Sequence, residues 1–188
     1  MRVIAGKYRS RPLQSLRGLD LRPTADRLRE TLFNVLTAGN PGALAGTVWV
    51  DLYAGTGAVG IEAISRGAST VYFVESSVHA AELVRKNLHS LGIESGFQVL
   101  KRAAVHALRG LDSGAVRADF VFLDPPYRME KAYSETLEAL SKSSLLKPES
   151  IVIAEHQKKF DPGEVFGSLR RYRKLEQGDA ALSFYRFA

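Results

Sequence analysis

The feature that most constrains this chain is an alternation of short apolar runs with helix-like segments, which occupies most of its 188 residues. Strands are predicted at residues 48–52, 71–75, 97–100, 120–123 and 151–154. Helices are predicted between them, at residues 59–65, 78–91, 104–108 and 133–140. Repeated β–α units fold as a parallel sheet with helices on both faces, and such sheets bind ligands beyond the carboxyl ends of their strands. We therefore expect the functional residues directly after the strands.

The two ends of the chain extend this pattern. Residues 1–23 are rich in Gly, Arg and Ser, which favours a basic arm or a small hairpin. An amphipathic helix is expected next, with Thr24 as its N-cap, and residues 24–188 are expected to form a single domain. Alternating runs on both sides of Gly178 predict an antiparallel strand pair. The expected architecture is an α/β sheet of seven mostly parallel strands with an antiparallel C-terminal pair and a small N-terminal extension.

The composition is typical of a folded protein in a reducing compartment. Hydrophobic residues make up 45% of the chain and charged residues 24%, which argues against disorder. The sequence has no cysteine, which excludes a disulfide framework, an iron–sulfur cluster and a thiolate nucleophile. Neither a signal-like apolar stretch at the start nor a run of membrane-spanning length is present. We expect a cytoplasmic monomer with no membrane segment.

Positive charge is concentrated near the N-terminus. The whole chain carries a formal charge of +6, and residues 1–30 hold eight basic side chains against three acids, a net of +5. A basic segment attached to a near-neutral body suggests a polyanionic partner such as nucleic acid. Charge alone equally allows a solvated basic surface that has no partner.

A glycine-rich loop follows the first predicted strand. Gly55, Gly57 and Gly60 form a G-x-G-x-x-G pattern between a strand and a helix, which indicates close approach of the backbone to a ligand. Dinucleotide-binding enzymes share this pattern. However, the strand ends in Asp51, whose charge disfavours a pyrophosphate and suits the α-ammonium group of a sulfonium amino acid. The loop therefore predicts S-adenosylmethionine, with Tyr53, Ala54, Gly55, Thr56 and Gly57 as further contacts.

The next two strands supply candidate contacts to the nucleoside. Glu75 ends the second predicted strand, where an acid can accept hydrogen bonds from both ribose hydroxyls, with Ser76 beside it. The alternative for Glu75 is a strand-end carboxylate that faces water. The third strand leads to Arg102 and Ala103, whose backbone groups are candidate contacts to adenine.

The tetrapeptide Asp124-Pro125-Pro126-Tyr127 follows the fourth predicted strand. A proline turn at a strand end is the simple interpretation. The functional interpretation is a site for an exocyclic amino group on a base, whose lone pair is conjugated with the ring. The Asp124 carboxylate and the Pro125 carbonyl can accept its hydrogens, the prolines fix φ, and Tyr127 can stack on the base. Such a base must leave its stack to be reached.

These motifs resemble the amino-methyltransferases of Rossmann-like fold and, more closely, the RsmD family of 16S ribosomal RNA guanine-N2 methyltransferases. The resemblance spans nearly the whole chain. It is carried by residues 1–8, by Arg22-Pro23-Thr24 with Asp26-Arg27, by Arg29-Glu30 with Phe33-Asn34, by residues 51–57, by Val74-Glu75 and by residues 124–127. The N-terminal blocks are the specific ones, because the glycine loop and the Asp-Pro-Pro-Tyr sequence occur in many methyltransferases.

The resemblance implies a substrate and further site residues. It implies methylation of guanine 966 of 16S rRNA, in ribosomal numbering, within an assembling 30S subunit. By analogy, Thr24 and Arg27 help to close the cofactor pocket. The cations expected to contact RNA are Arg2, Lys7, Arg9, Arg11, Arg22 and Arg29.

Other functions remain open from the sequence. A nicotinamide-dependent oxidoreductase would share the glycine loop, and a non-catalytic RNA-binding module would share the basic arm. Methylation of adenine N6 on RNA or DNA, or of a protein glutamine, would share the Asp-Pro-Pro-Tyr chemistry. The four histidines have no common ligand spacing, so we expect no metal.

Overall fold

The structure is a computed structural model that describes residues 1–15 and 23–188, with the first helix described at side-chain level from residue 26. Its helices are α1 (Pro23–Leu36), α2 (Ala58–Ser65), α3 (Val78–Ser90), α4 (Ala104–Ser113) and α5 (Glu130–Ser141). Its strands are β1 (Val48–Leu52), β2 (Thr70–Val74), β3 (Phe97–Leu100), β4 (Ala118–Leu123), β5 (Leu146–Gln157), β6 (Val165–Phe166), β7 (Leu169–Gln177) and β8 (Ala180–Phe187). No helix in these described ranges is long and apolar enough to cross a membrane.

All eight strands form one sheet in the order β3-β2-β1-β4-β5-β8-β7-β6. The first five in this order pair in parallel, and the last three join as antiparallel neighbours. The predicted α/β class is confirmed, with one strand more than the seven predicted. The additional strand, β6, has two residues and is too short to produce an alternating pattern in the sequence. Successive strands are added towards one edge of the sheet from β1 to β3 and towards the other edge from β4 onwards. This switch in strand order between β1 and β4 creates the crevice where such folds bind ligands.

Alternating side chains of the strands build a core on each face of the sheet. On one face, Trp49 of β1 stacks on Phe33 of α1 with ring centroids 5.4 Å apart and lies 5.2 Å from Phe120 of β4. On the other face, Val50 packs with residues of α4 and α5, among them Tyr133. Helix α1 packs in the same core as α2 and α3 and therefore covers the same face of the sheet.

The fifth strand begins earlier than predicted. The pairing of β4 with β5 shifts register between Ala118 and Phe120, and Pro148 lies in the irregular part of β5. Ser150 restores the lost backbone contacts: its hydroxyl donates to the Ala118 carbonyl at 2.6 Å and accepts the N–H of Lys147 at 2.7 Å. The polar residues of this irregular segment interrupt the apolar pattern, so the sequence did not predict where the strand begins.

The N-terminal hairpin, residues 1–15, is attached to α2 and α3 by buried polar side chains. Within it, an isolated antiparallel bridge joins Arg2 to Pro12. The fully buried carboxylate of Glu62 accepts the N–H groups of Ile4 and Ala5 at 2.8 Å and 3.0 Å. These long-range bonds hold the hairpin beside the glycine loop. The predicted boundary between arm and domain, between residues 23 and 24, falls in the first turn of α1, and the division into arm and domain stays a prediction.

The hairpin can lie this close only because of a glycine and a buried amide. Gly6 has φ +80°, and a Cβ there would lie 1.9 Å from the Ser65 carbonyl oxygen. On α3, the buried amide of Asn87 accepts the N–H of Gln14 at 2.8 Å and donates to the carbonyls of Gln14 and Thr56. One side chain therefore connects the hairpin to the glycine loop.

Candidate active site at the sheet switch point

Four carboxylates lie at the carboxyl edge of the sheet. Asp51 is near the end of β1, Glu75 follows β2, Asp124 follows β4, and Glu155 belongs to the part of β5 that extends beyond β4. These strand ends are neighbours, because β1 pairs with both β2 and β4 while β4 also pairs with β5. Negative charge is therefore concentrated at the switch point.

Glu75 holds the glycine loop in place. Its Oε2 accepts the N–H of Gly55 at 2.9 Å, and its Oε1 accepts the N–H of Ser77 at 2.8 Å. Each carboxylate oxygen has two lone pairs, so Glu75 retains acceptor capacity for ribose hydroxyls. Its predicted role as a ribose ligand stays a prediction, and its position at the loop is compatible with that role.

Asp51 lies buried under the glycine loop. It is only 2% exposed, and its Oδ2 accepts the N–H of Gly60 at 2.9 Å. Burial raises the pKa of Asp51 well above its usual value; the Gly60 hydrogen bond opposes this, and the charges of Asp124 and Glu75 add to it. The predicted contact of Asp51 with an α-ammonium group stays a prediction. In this structure Asp51 anchors the start of α2 beneath the glycine loop.

Gly60 is itself required by the packing of this helix against the sheet. A Cβ at this position would lie 2.3 Å from the ring of Phe73 on β2. The absence of a side chain lets α2 approach the strand, and this approach brings the Gly60 N–H to Asp51.

Four of the predicted cofactor residues line a cavity of about 540 Å³, which we call the nucleoside cavity. They are Tyr53, Ser76, Arg102 and Ala103. Tyr53 has φ 63°, a strained conformation for this residue type, and its hydroxyl lies 2.8 Å from the Thr136 hydroxyl. This size is ordinary for a small-molecule site.

The charge of the site suits a cationic cofactor. Among the ion pairs that the described residues form, none neutralises Asp51, Glu75 or Asp124. A sulfonium and an α-ammonium group would relieve this concentration of negative charge, whereas a pyrophosphate would increase it. The site therefore fits S-adenosylmethionine and does not fit a dinucleotide.

The Asp-Pro-Pro-Tyr segment leaves β4 in a turn, with the N–H of Met129 donating to the Pro126 carbonyl at 2.7 Å. Asp124 is partly exposed, and burial raises its pKa to about 7. The carbonyl of Pro125 accepts a 3.4 Å hydrogen bond from the hydroxyl of Tyr133. Tyr127 is 40% exposed. The carboxylate, the carbonyl and the aromatic ring that the sequence predicted therefore lie on one short turn.

A second cavity, of about 860 Å³, adjoins this turn, and we call it the base cavity. Its lining includes Tyr127, Leu28, Glu155, Lys158 and Lys159. Neither Glu155 nor Leu28 was predicted from the sequence as a residue of the functional site. An acid directly after the predicted fifth strand was the signal for Glu155, since Asp124 occupies the same position after the fourth.

Helix α1 corrects one predicted RNA contact. The side chain of Arg29 is 4% exposed; its Nη2 donates to the Arg2 carbonyl at 2.6 Å and to Asp26 at 3.0 Å. This buried guanidinium is used within the protein, so Arg29 is not part of an exposed RNA surface. Arg27 is exposed, as a pocket-closing role requires. Arg22 and the side chain of Thr24 lie outside what the structure describes.

The remaining predicted RNA contacts within the described residues are exposed. Arg2, Lys7, Arg9 and Arg11 all belong to the N-terminal hairpin and are exposed. Arg11 also donates from Nη2 to the Ser90 carbonyl at 2.9 Å. In the described ranges, no group of three or more His, Cys, Asp or Glu residues is placed to hold a metal ion.

Together, the sheet order, the glycine loop and the Asp-Pro-Pro-Tyr turn define a Rossmann-like methyltransferase. The model of the family described as conserved hypothetical protein 95 matches residues 1–186. The chain belongs to this family, the RsmD family of S-adenosylmethionine-dependent ribosomal RNA methyltransferases. The predicted resemblance is confirmed, and the nicotinamide-dependent alternative is disfavoured.

Individual relatives agree with this assignment. The chain is 35% identical to ribosomal RNA small subunit methyltransferase D of Haemophilus influenzae, over 84% of this chain and 79% of the relative. It is 32% identical to Bacillus subtilis YlbH, provisionally named an rRNA methyltransferase, over 99% and 98% of the two chains. The solved structure of Escherichia coli yhhF, provisionally a methyltransferase, has a TM-score of 0.82 at 28% identity and covers 100% of this chain and 98% of its own.

Proposed function

We propose that this protein methylates the exocyclic N2 amino group of a guanine in 16S rRNA, within the small ribosomal subunit. The observation that carries this proposal is the turn at residues 124–127, which holds the Asp124 carboxylate, the Pro125 carbonyl and the ring of Tyr127 that lines the base cavity. The family supplies the ribosomal RNA substrate. By resemblance, the target is guanine 966.

The residues of the turn perform the chemistry of the proposal. Asp124 and the Pro125 carbonyl accept the two hydrogens of the amino group, which concentrates electron density on nitrogen and orients its lone pair. Tyr127 stacks on the extruded base and holds it in the base cavity. S-adenosylmethionine, when bound, supplies an electrophilic methyl group on a sulfonium. Asp124 need not take a full proton during the transfer, because the product ammonium loses one to solvent afterwards. Positioning and electrostatics therefore supply most of the rate.

Two groups of cations are proposed to hold the RNA backbone. The four exposed cations of the N-terminal hairpin form one group, and Lys158 and Lys159 at the rim of the base cavity form the other. Contacts of this kind position the RNA without reading its sequence. We further propose that the protein acts as a monomer, without a metal, on assembling subunits in the cytoplasm.

Mass spectrometry of 16S rRNA from a strain that lacks this gene tests the proposal. We expect N2-methylguanosine to disappear from one position and to return with the wild-type gene but not with Asp124→Ala. Unchanged N2-methylguanosine, or loss of N6-methyladenosine in its place, would reject the guanine target.

A further inference from the structure

Glu155, which lines the base cavity, occupies the position along β5 that corresponds to Asp124 at the end of β4. In the parallel pair β4–β5, Phe122 aligns with Ile153 and Leu123 aligns with Ala154. Asp124 and Glu155 are the next residues in this register, so the alternation of side chains directs both to the face of the sheet that α1 covers.

A buried tyrosine fixes these two chain segments relative to each other. The hydroxyl of Tyr133 donates to the backbone carbonyl of Glu155 at 2.9 Å and to that of Pro125 at 3.4 Å. Tyr133 is 1% exposed in the core beneath the cavity. The spacing between the Asp124 turn and the Glu155 backbone is therefore set by a rigid side chain.

The carboxylate of Glu155 has no partner in the described part of the chain. It forms none of the hydrogen bonds or ion pairs there, although the residue is partly buried and lines the base cavity. Burial and the charge of Asp124 raise the pKa of Glu155, whereas the charge of Arg29 lowers it. A partly buried acid of this kind gains most from a ligand that donates an N–H, since this bond favours the ionised form.

The neighbouring ring atom distinguishes the three bases that carry an exocyclic amino group. The amino groups of adenine and cytosine lie next to a ring nitrogen that only accepts hydrogen bonds. The guanine N2 amino group lies next to N1–H, which donates. A second carboxylate beside the amino-binding acceptors therefore attracts guanine and repels the other two bases.

We propose that Glu155 accepts the N1–H of the target guanine and is the residue that selects guanine over adenine and cytosine. This inference rests on the proposed function, because it assigns the base specificity of the same cavity.

Substrates that differ at N1 test this role directly. Small subunits are reconstituted with 16S rRNA that carries either guanine or 2-aminopurine at the modified position. Both bases present the same amino group, but N1 of 2-aminopurine accepts instead of donating. We expect kcat/KM of the wild-type protein to be about tenfold to a hundredfold higher with guanine than with 2-aminopurine. In E155Q, whose amide can donate to N1 of 2-aminopurine, this ratio is expected to fall by a similar factor. E149Q, at an exposed position on the same strand but outside the cavity lining, is the control and should leave the ratio unchanged.

Each outcome has a distinct meaning. A guanine to 2-aminopurine ratio in E155Q equal to that of wild type would overturn the role of Glu155 and leave the proposed function intact. Equal loss of activity on both substrates, with S-adenosylhomocysteine binding and melting temperature preserved, would also overturn selection, because it would mark a general catalytic role. Absence of transfer to guanine by the wild-type protein would overturn the proposed function and this inference together.

Discussion

Asp124 raises the pKa of Glu155 across two neighbouring strand ends, in addition to the larger effect of burial. Burial also raises the pKa of Asp124 itself, to about 7. Because the two acids interact, their protons belong to the pair, and Asp124, the proposed acceptor, changes its protonation state in the neutral pH range.

The first prediction concerns pH. Asp124 accepts the amino hydrogens only when it is ionised, and its pKa is raised to about 7, so kcat/KM for methyl transfer should fall as pH drops through about 7. In Glu155→Gln the neighbouring group cannot carry a charge, so the inflection should move to lower pH. Rates measured from about pH 5.5 to about pH 9 test this. A flat profile over this range would remove Asp124 ionisation from the mechanism.

The second prediction separates catalysis from cofactor binding. Asp124→Ala removes one of the two proposed acceptors, so single-turnover methyl transfer should fall by about 10²- to 10³-fold. The affinity for S-adenosylhomocysteine, measured by calorimetry, should change little. Asp124→Asn keeps the shape and one acceptor oxygen, and should retain more activity. Equal losses of binding and turnover in Asp124→Ala would instead identify a cofactor or folding residue.

The third prediction concerns the attachment of the N-terminal hairpin. Glu62 is fully buried and accepts hydrogen bonds from Ile4, Ala5 and the Arg66 guanidinium, the last at 2.8 Å. In Glu62→Gln one carboxylate oxygen becomes an NH2 group, which would face the N–H donors that the carboxylate now accepts. The free energy of unfolding in urea should therefore fall by about 3–5 kcal/mol. Glu82→Gln, at an exposed position on α3, is the matched control. A loss below about 1 kcal/mol for Glu62→Gln would contradict this account of how the hairpin is held.

The fourth prediction tests the RNA surface. Replacing Arg9 and Arg11 with Ala should weaken RNA binding and reduce the slope of log K against log salt by about two, since each phosphate contact contributes about one. The double variant of Arg109 and Arg117, two exposed cations outside the proposed surface, should leave the slope unchanged. If the Arg9 and Arg11 variant keeps the wild-type slope, these residues do not contact phosphates.

The sequence alone was sufficient to predict the elements that depend on local pattern. The strand before Asp51, the glycine loop and the turn at Asp124 each combine apolar periodicity with residues of special φ, so their positions follow from neighbours in the sequence. The short strand at Val165 was not predicted, because two residues are too few to show an alternation of apolar and polar side chains.

Other features of the site depend on contacts between distant residues. The burial of Arg29 follows from its bond to the Arg2 carbonyl, and the buried environment of Asp51 follows from the close approach of α2. The attachment of Gln14 to Asn87 spans 73 positions in the sequence. No local pattern reveals such contacts, so the sequence predicted candidate residues by their type but could not predict how deeply each is buried in the fold.

The most direct measurement is methyl transfer from labelled S-adenosylmethionine to 30S particles and to naked 16S rRNA, followed by nucleoside analysis. We expect label in N2-methylguanosine at a single position, guanine 966 by resemblance, and no label after Asp124→Ala. Label in N6-methyladenosine, or no label in either RNA substrate, would contradict the proposed function.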